Sequence, residues 1–159
     1  MPIQHLDSKH WILETSSVGY SLTITPSKRL VHGYWGKRLP YPTDYPRGED
    51  GYGWASFNGE IHNTRDEYPA YGGTSYVEPC LKATFADGVR DTVLHVESAE
   101  QPTPTTLNIH LKDTHYPLHV TLHYAVHEDY DLIERWVTIR NDAPRDSAPM
   151  ILERIWSAQ

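Results

Sequence analysis

The chain has 159 residues and a formal net charge of −7 with histidine neutral, from 14 Lys and Arg against 21 Asp and Glu. This length suits one domain with its own core, and an acidic balance with no basic stripe excludes nucleic acid as a partner. Eleven Tyr and five Trp against two Phe favour half-buried sheets and sugar-facing surfaces, which use both a ring and a polar handle.

The single cysteine, Cys80, excludes an intrachain disulfide framework and leaves a reducing compartment open. Residues 1–7 lack the basic and apolar stretches of a signal peptide. No apolar run approaches the roughly 18 residues of a membrane span. The reading is a soluble, cytoplasmic domain with no membrane partner.

In chain order, residues 10–15 read as a short strand and Ser16-Ser17 as a turn. Residues 20–24 alternate apolar and hydroxyl side chains, the period of a half-buried strand. Pro26-Ser27-Lys28 turns the chain into a third strand over 29–35. Three strands joined by tight turns predict an antiparallel meander. From Pro40 to Pro79 no periodicity survives, because prolines forbid regular ladders and glycines permit unusual backbone angles. The excursion over 40–79 holds Tyr41, Tyr45, Tyr52, Trp54, Phe57, Tyr68, Tyr71 and Tyr76, too aromatic for a solvated tail. It is expected to be ordered and to bury rings against this chain or another surface.

Beyond Pro79 the pattern turns regular. Residues 81–85 read as a strand, Asp87-Gly88 as a hairpin-type turn, and 92–98 as a strand broken by Gln101-Pro102-Thr103-Pro104. Leu107, Ile109 and Leu111 alternate with polar residues, as do Leu118, Val120, Leu122, Tyr124 and Val126. Strands follow over 132–140 and 150–156, the second so close to Gln159 that the chain reads as cut inside a strand of a larger protein. The fold class is all-β: an antiparallel β-sandwich of two packed sheets over 1–159, with the irregular excursion attached.

Candidate chemistry is sparse. His119, His123 and His127 recur every four residues, but on a strand successive members lie about 13 Å apart, too far for one zinc. They read as a polar outer face. Glu128, Asp129 and Asp131 form an acidic knot; two carboxylates about 5–5.5 Å apart would suit a retaining glycosidase, yet no apolar pocket stands nearby to raise one pKa, and a structural turn is the reading. Cys80 has no adjacent base and reads as a buried, inert thiol. The aromatic region remains. Trp35, Trp54, Tyr68 and Tyr71 could stack on sugar faces while Glu60, Arg65, Asp66 and Glu67 bond hydroxyls; on residue type alone, packing without ligand contact is the favoured reading. No residue pattern calls for a metal or cofactor.

Five motifs occur in order: His10-Trp11-Ile12-Leu13-Glu14-Thr15, Tyr34-Trp35-Gly36-Lys37-Arg38-Leu39, Glu67-Tyr68-Pro69-Ala70-Tyr71-Gly72, Glu78-Pro79, and Glu128-Asp129-Tyr130-Asp131-Leu132-Ile133-Glu134-Arg135. With Leu152-Glu153-Arg154 and Ser157-Ala158 they resemble the N-terminal domain of α-galactosidases of glycoside hydrolase family 36. The resemblance implies a β-sandwich of the large supersandwich type, preceding a (β/α)₈ barrel that carries two catalytic aspartates in a retaining mechanism. Neither aspartate motif is in this chain, so no catalytic residue is assigned and the chain alone is expected to be inactive. The barrel of a parent chain is the implied partner, together with homo-oligomer contacts and a galactoside contact at the active-site rim. Trp35, Trp54, Glu67, Tyr68, Tyr71, Gly72, Gly73 and Tyr76 are the candidate rim or interface residues. One departure stands out: the family loop commonly reads Tyr-Gly-x-x-Asp-(Phe or Tyr)-Arg-x-Pro, whereas Ser75 and Val77 replace the acid and the arginine here. The alternative reading is a free-standing carbohydrate-binding module, and a third is an oligomerisation scaffold.

Overall fold

The computed structural model describes residues 2–51, 65–72 and 77–158; Tyr52, Trp54, Phe57, Glu60, Gly73, Ser75 and Tyr76 lie outside the described residues. Strands β1 (Ile3–Asp7), β2 (His10–Glu14), β3 (Val18–Ile24) and β4 (Leu30–Lys37) form an antiparallel sheet in chain order. Strands β6 (Leu94–Thr103), β7 (Thr106–Asp113), β8 (Leu118–His127) and β9 (Leu132–Asn141) form a second one, also in chain order. Strands β5 (Leu81–Thr84) and β10 (Ile151–Ile155) pair as a separate antiparallel ribbon.

The alternation in β7 and β8 decides which side of the second sheet is buried, because successive side chains of a strand point to opposite faces. Leu107, Ile109, Leu111, Leu118, Val120 and Leu122 turn inward and are buried. The meander answers with Trp11, Leu13, Tyr20 and Leu22, and all ten belong to one apolar cluster. Each such Leu or Ile contributes about 1.5–3 kcal/mol relative to exposure, and this shared core makes the two sheets a sandwich.

Every residue of β2 is buried, which one packed face cannot produce. The early part of the excursion supplies the second cover. Tyr45 donates its hydroxyl to Glu14 Oε1 at 2.7 Å and accepts the Leu39 amide at 3.0 Å. Ser21 donates to the Pro46 carbonyl, and the Gly48 amide to Thr23 Oγ1. A Cβ on Gly19 would lie 2.2 Å from the Tyr45 hydroxyl oxygen, so glycine there makes room for the ring. Rings Tyr45 and Tyr68 of the excursion are buried, against the protein's own sheets.

Three features depart from the sequence expectations. β1 shows no alternation because it is an edge strand with only Ile3 fully buried and a register shift between His5 and Asp7. β6 does not stop at Gln101-Pro102. It runs to Thr103 as the outer strand of its sheet, with a register shift between Glu100 and Thr103, and an edge bulge tolerates the missing amide of proline. The Asp87-Gly88 turn forms, with Gly88 at φ +85°, but no hairpin follows: β5 pairs with β10 while β6 joins the other sheet. The acidic knot, by contrast, is the structural turn expected of it: Asp131 adopts φ 53° after a single 3₁₀ turn at Glu128–Tyr130. Its carboxylate accepts the Ser17 amide at 3.0 Å and the Ser17 hydroxyl, tying the β2–β3 turn to the β8–β9 turn.

A buried Glu67 network and its exposed aromatic neighbours

Residues 65–67 lie along the free side of β4. The His32 amide donates to the Arg65 carbonyl at 2.9 Å, and the Glu67 amide to the Leu30 carbonyl at 3.0 Å. Arg29 pairs with Asp66 through both its Nε, at 2.8 Å, and its terminal nitrogen. Pinned in this way, the chain turns the Glu67 side chain into the sandwich, where it is 4 % exposed.

Inside, Glu67 Oε1 accepts hydrogen bonds from Tyr20 at 2.5 Å and Tyr124 at 2.9 Å, and lies 2.7 Å from an Arg135 terminal nitrogen. Oε2 faces His32 Nδ1 at 3.4 Å. Arg135 also donates to the Glu67 carbonyl at 2.7 Å. Burial, with the Glu67 charge second, pushes the Tyr20 and Tyr124 hydroxyls far above the usual phenol range, so both stay neutral donors. Burial opposes the Arg135 charge, but Tyr124 and Glu67 outweigh it and hold the guanidinium above its ordinary value. Buried under these partners, the carboxylate is closed to a sugar hydroxyl arriving from solvent. Glu67, and Asp66 through its pair with Arg29, are therefore joints of the frame, in keeping with the packing alternative.

Tyr68 is likewise buried, 4 % exposed, and is not a ring on which a sugar could stack. Its hydroxyl has no hydrogen-bond partner among the described residues. Cys80 is fully buried and its thiol is pushed up by burial.

The other described candidates face outward. Trp35 is 62 % exposed and stands edge-on to Tyr20, with ring centroids 5.0 Å apart. Its side chain is thus an open ring one contact away from the Glu67 network. Tyr71 is 40 % exposed and carries Arg90 at 4.7 Å and Lys82 at 5.7 Å from its ring centroid, a cation–π pair of contacts. Its amide donates to the Leu81 carbonyl at 2.8 Å, and its carbonyl accepts the Thr92 amide. Gly72 sits at φ +124°, where a Cβ would lie 1.8 Å from Asp91 Oδ1. That close approach fixes where Tyr71 leaves the frame. No contact among the described residues joins Trp35 to Tyr71.

Sequence reasoning missed Tyr20, His32, Tyr124 and Arg135. A signal existed for Arg135. It occupies an inward register position between Ile133 and Val137, both of which pack on the core, and a buried guanidinium requires a carboxylate. Four histidines, His110, His119, His123 and His127, are only partly exposed or exposed on the second sheet. His110 and His119 meet carboxylates of Glu100 and Asp142 at 3.5 and 3.4 Å. Among the described residues no group of three or more His, Cys, Asp or Glu side chains could hold a metal ion.

Comparison with known proteins supplies the family. Residues 28–159 match the model of the glycosyl hydrolase family 36 N-terminal domain. AgaB, a family 36 α-galactosidase of Geobacillus stearothermophilus, superposes with a TM-score of 0.80 at 25% identity, over 99% of this chain and 24% of AgaB. The galactosidase domain of the α-galactosidase–sucrose kinase AgaSK gives 0.80 at 23% identity, over 98% and 25%. An AgaA variant of Geobacillus stearothermophilus in complex with raffinose gives 0.76 at 24% identity, over 94% and 24%. The chain thus spans about a quarter of the length of these enzymes. No curated protein matches it. The chain belongs to the glycosyl hydrolase family 36 N-terminal domain family.

Proposed function

We propose that the chain is the non-catalytic N-terminal domain of a retaining α-galactosidase-like glycoside hydrolase whose barrel hydrolyses terminal α-galactosides, and that it shapes the active-site rim or a subunit contact. The observation that carries this reading is a rigid mount with open rings beside it. The Glu67–Arg135 network fixes the segment 65–72, and that segment and β4 leave Trp35 and Tyr71 exposed. Trp and Tyr with neighbouring Arg are the composition of contact hot spots, and loops on a rigid scaffold are where such contacts concentrate. Among the described residues, Asp131 is bound to Ser17 and Glu67 is enclosed by its donors, so neither is free to serve in a glycosidase pair. The domain would act in the cytoplasm and without a cofactor.

The test is an assay of 4-nitrophenyl α-galactoside hydrolysis by the 159-residue chain and by the parent polypeptide. The reading expects no turnover by the chain alone and turnover by the parent. Turnover by purified chain would overturn it, as would a parent without α-galactosidase activity. Exposure of Trp35 also favours a second reading, direct galactoside binding. Calorimetric titration of the chain with galactose, melibiose and raffinose decides it: heat of binding supports a carbohydrate module, and none leaves an architectural role.

A further inference from the structure

The turn residues of the meander and the strands β6 and β7 enclose an open groove of about 810 Å³, within the size range of small-molecule sites, roughly 300–1,000 Å³. Its apolar wall is Trp11, Ile24 and Val96, and its cations are Lys9, Lys28 and Lys112, with His95 beside them. In a chain of net charge −7, this is a local reversal of sign.

The groove's two carboxylates are already engaged. Asp113 accepts the backbone amides of Val93, His115 and Tyr116 at 2.8–2.9 Å. Glu97 lies 3.8 Å from Lys112 Nζ and 3.7 Å from His119. Neither Lys9 nor Lys28 forms an ion pair among the described residues. The Lys28 charge is felt: the His95 pKa lies below its ordinary value through burial first, then through the charges of Lys28 and Arg29.

Lys28 carries a further mark. Its φ is +63°, a left-handed conformation that glycine adopts freely and a lysine only at a cost. It is held there by two backbone bonds, its amide to the Thr25 carbonyl at 3.0 Å and its carbonyl from the Val96 amide at 2.8 Å. A lysine kept where glycine fits better points to a use for its side chain.

We propose that this groove binds a phosphate monoester of sugar size, the phosphate held by Lys9 and Lys28 and the body of the ligand lying over Trp11, Ile24 and Val96. A phosphate monoester carries close to two negative charges and three strong acceptor oxygens, matching two ammonium groups with three donors each. The hydroxyls of Ser8, Ser98 and Thr114 on the same walls add neutral donors. The site is separate from the Glu67 network and stands or falls independently of the rim reading.

The experiment is a titration of the ¹⁵N-labelled 159-residue chain with galactose 6-phosphate, with inorganic phosphate and galactose as parallel probes. The inference expects saturable amide shifts at Lys9, Lys28 and Val96 with galactose 6-phosphate, weaker binding of inorganic phosphate, and none of galactose at these amides. Lys28→Gln and Lys9→Gln should each weaken galactose 6-phosphate by about tenfold, the loss of one charge-assisted hydrogen bond. Lys37→Gln, on β4 outside the groove, should leave it unchanged. Lys28→Gly separates the side chain from the backbone. It should keep or raise the melting temperature while losing the same affinity. No saturable shift, wild-type affinity in either groove glutamine variant, or binding insensitive to added salt would overturn the inference.

Discussion

Arg135→Met is the perturbation that bears most directly on how the fold positions the segment 65–72. The substitution removes the guanidinium that lies 2.7 Å from Glu67 Oε1 and bonds the Glu67 carbonyl. It leaves a buried carboxylate, its side chain only 2 % exposed, with two tyrosine donors and, at 3.4 Å, His32 but no permanent counter-charge. Breaking a buried ion pair from one side costs about 3–5 kcal/mol, a large part of the roughly 5–15 kcal/mol that holds a domain folded. At about 2–4 °C per kcal/mol for a chain of this size, the melting temperature should fall by about 6–20 °C. Glu67→Gln should cost a similar amount, because it strands the arginine instead. The double variant should cost far less than the sum, since an apolar replacement of a whole buried pair is often nearly neutral. Urea unfolding followed by circular dichroism measures all four corners of the cycle. A loss below about 1 kcal/mol for Arg135→Met, the worth of a surface pair, would refute the reasoning, and so would additive single costs.

Further outcomes follow from single sites. His10 is fully buried with neither ring nitrogen bonded among the described residues, and burial, then Arg47, lowers its pKa from 6.5. Below pH 6.5 the unfolded chain binds a proton that the folded chain refuses. Stability should therefore be full above that pH and fall as pH drops toward the folded pKa, and His10→Phe should flatten the loss in urea melts taken from pH 7.5 to pH 5. Gly72→Ala meets Asp91 and a φ of +124°; it should cost about 1–3 kcal/mol and lower the urea midpoint, with proteolysis rising near residue 71. The Cys80 thiol, fully buried and pushed up by burial, should resist Ellman's reagent in buffer and react within the mixing time in urea.

The parts legible in sequence were the local ones. Strict alternation in β7 and β8 exposes the buried face because one side of that sheet meets the core and the other meets water. The turn at Pro26-Ser27-Lys28 and the strands beside it announce the meander for the same reason. The pairing of β5 with β10, Ile151 opposite Thr84, is not legible, because nothing local marks two strands so distant in sequence as partners. β6 hides its length behind Pro102, which only an edge position permits. At the site, the sequence pointed to Glu67 and Tyr68 by residue type but could not tell surface from interior. Glu67 becomes internal only because Tyr20, Tyr124 and Arg135, from three strands of two sheets, converge on it. Trp35 and Tyr71 are exposed where Tyr68 is buried, a difference that residue type alone does not show.

The most direct measurement is made on the parent enzyme carrying Trp35→Ala and Tyr71→Ala, singly and together, by steady-state α-galactoside hydrolysis alongside sedimentation velocity. A domain that shapes the rim predicts a raised KM with kcat largely retained; one that forms a subunit contact predicts a smaller sedimentation coefficient. Wild-type KM and wild-type sedimentation in the double variant would contradict the account, and the two exposed rings would then be surface without function.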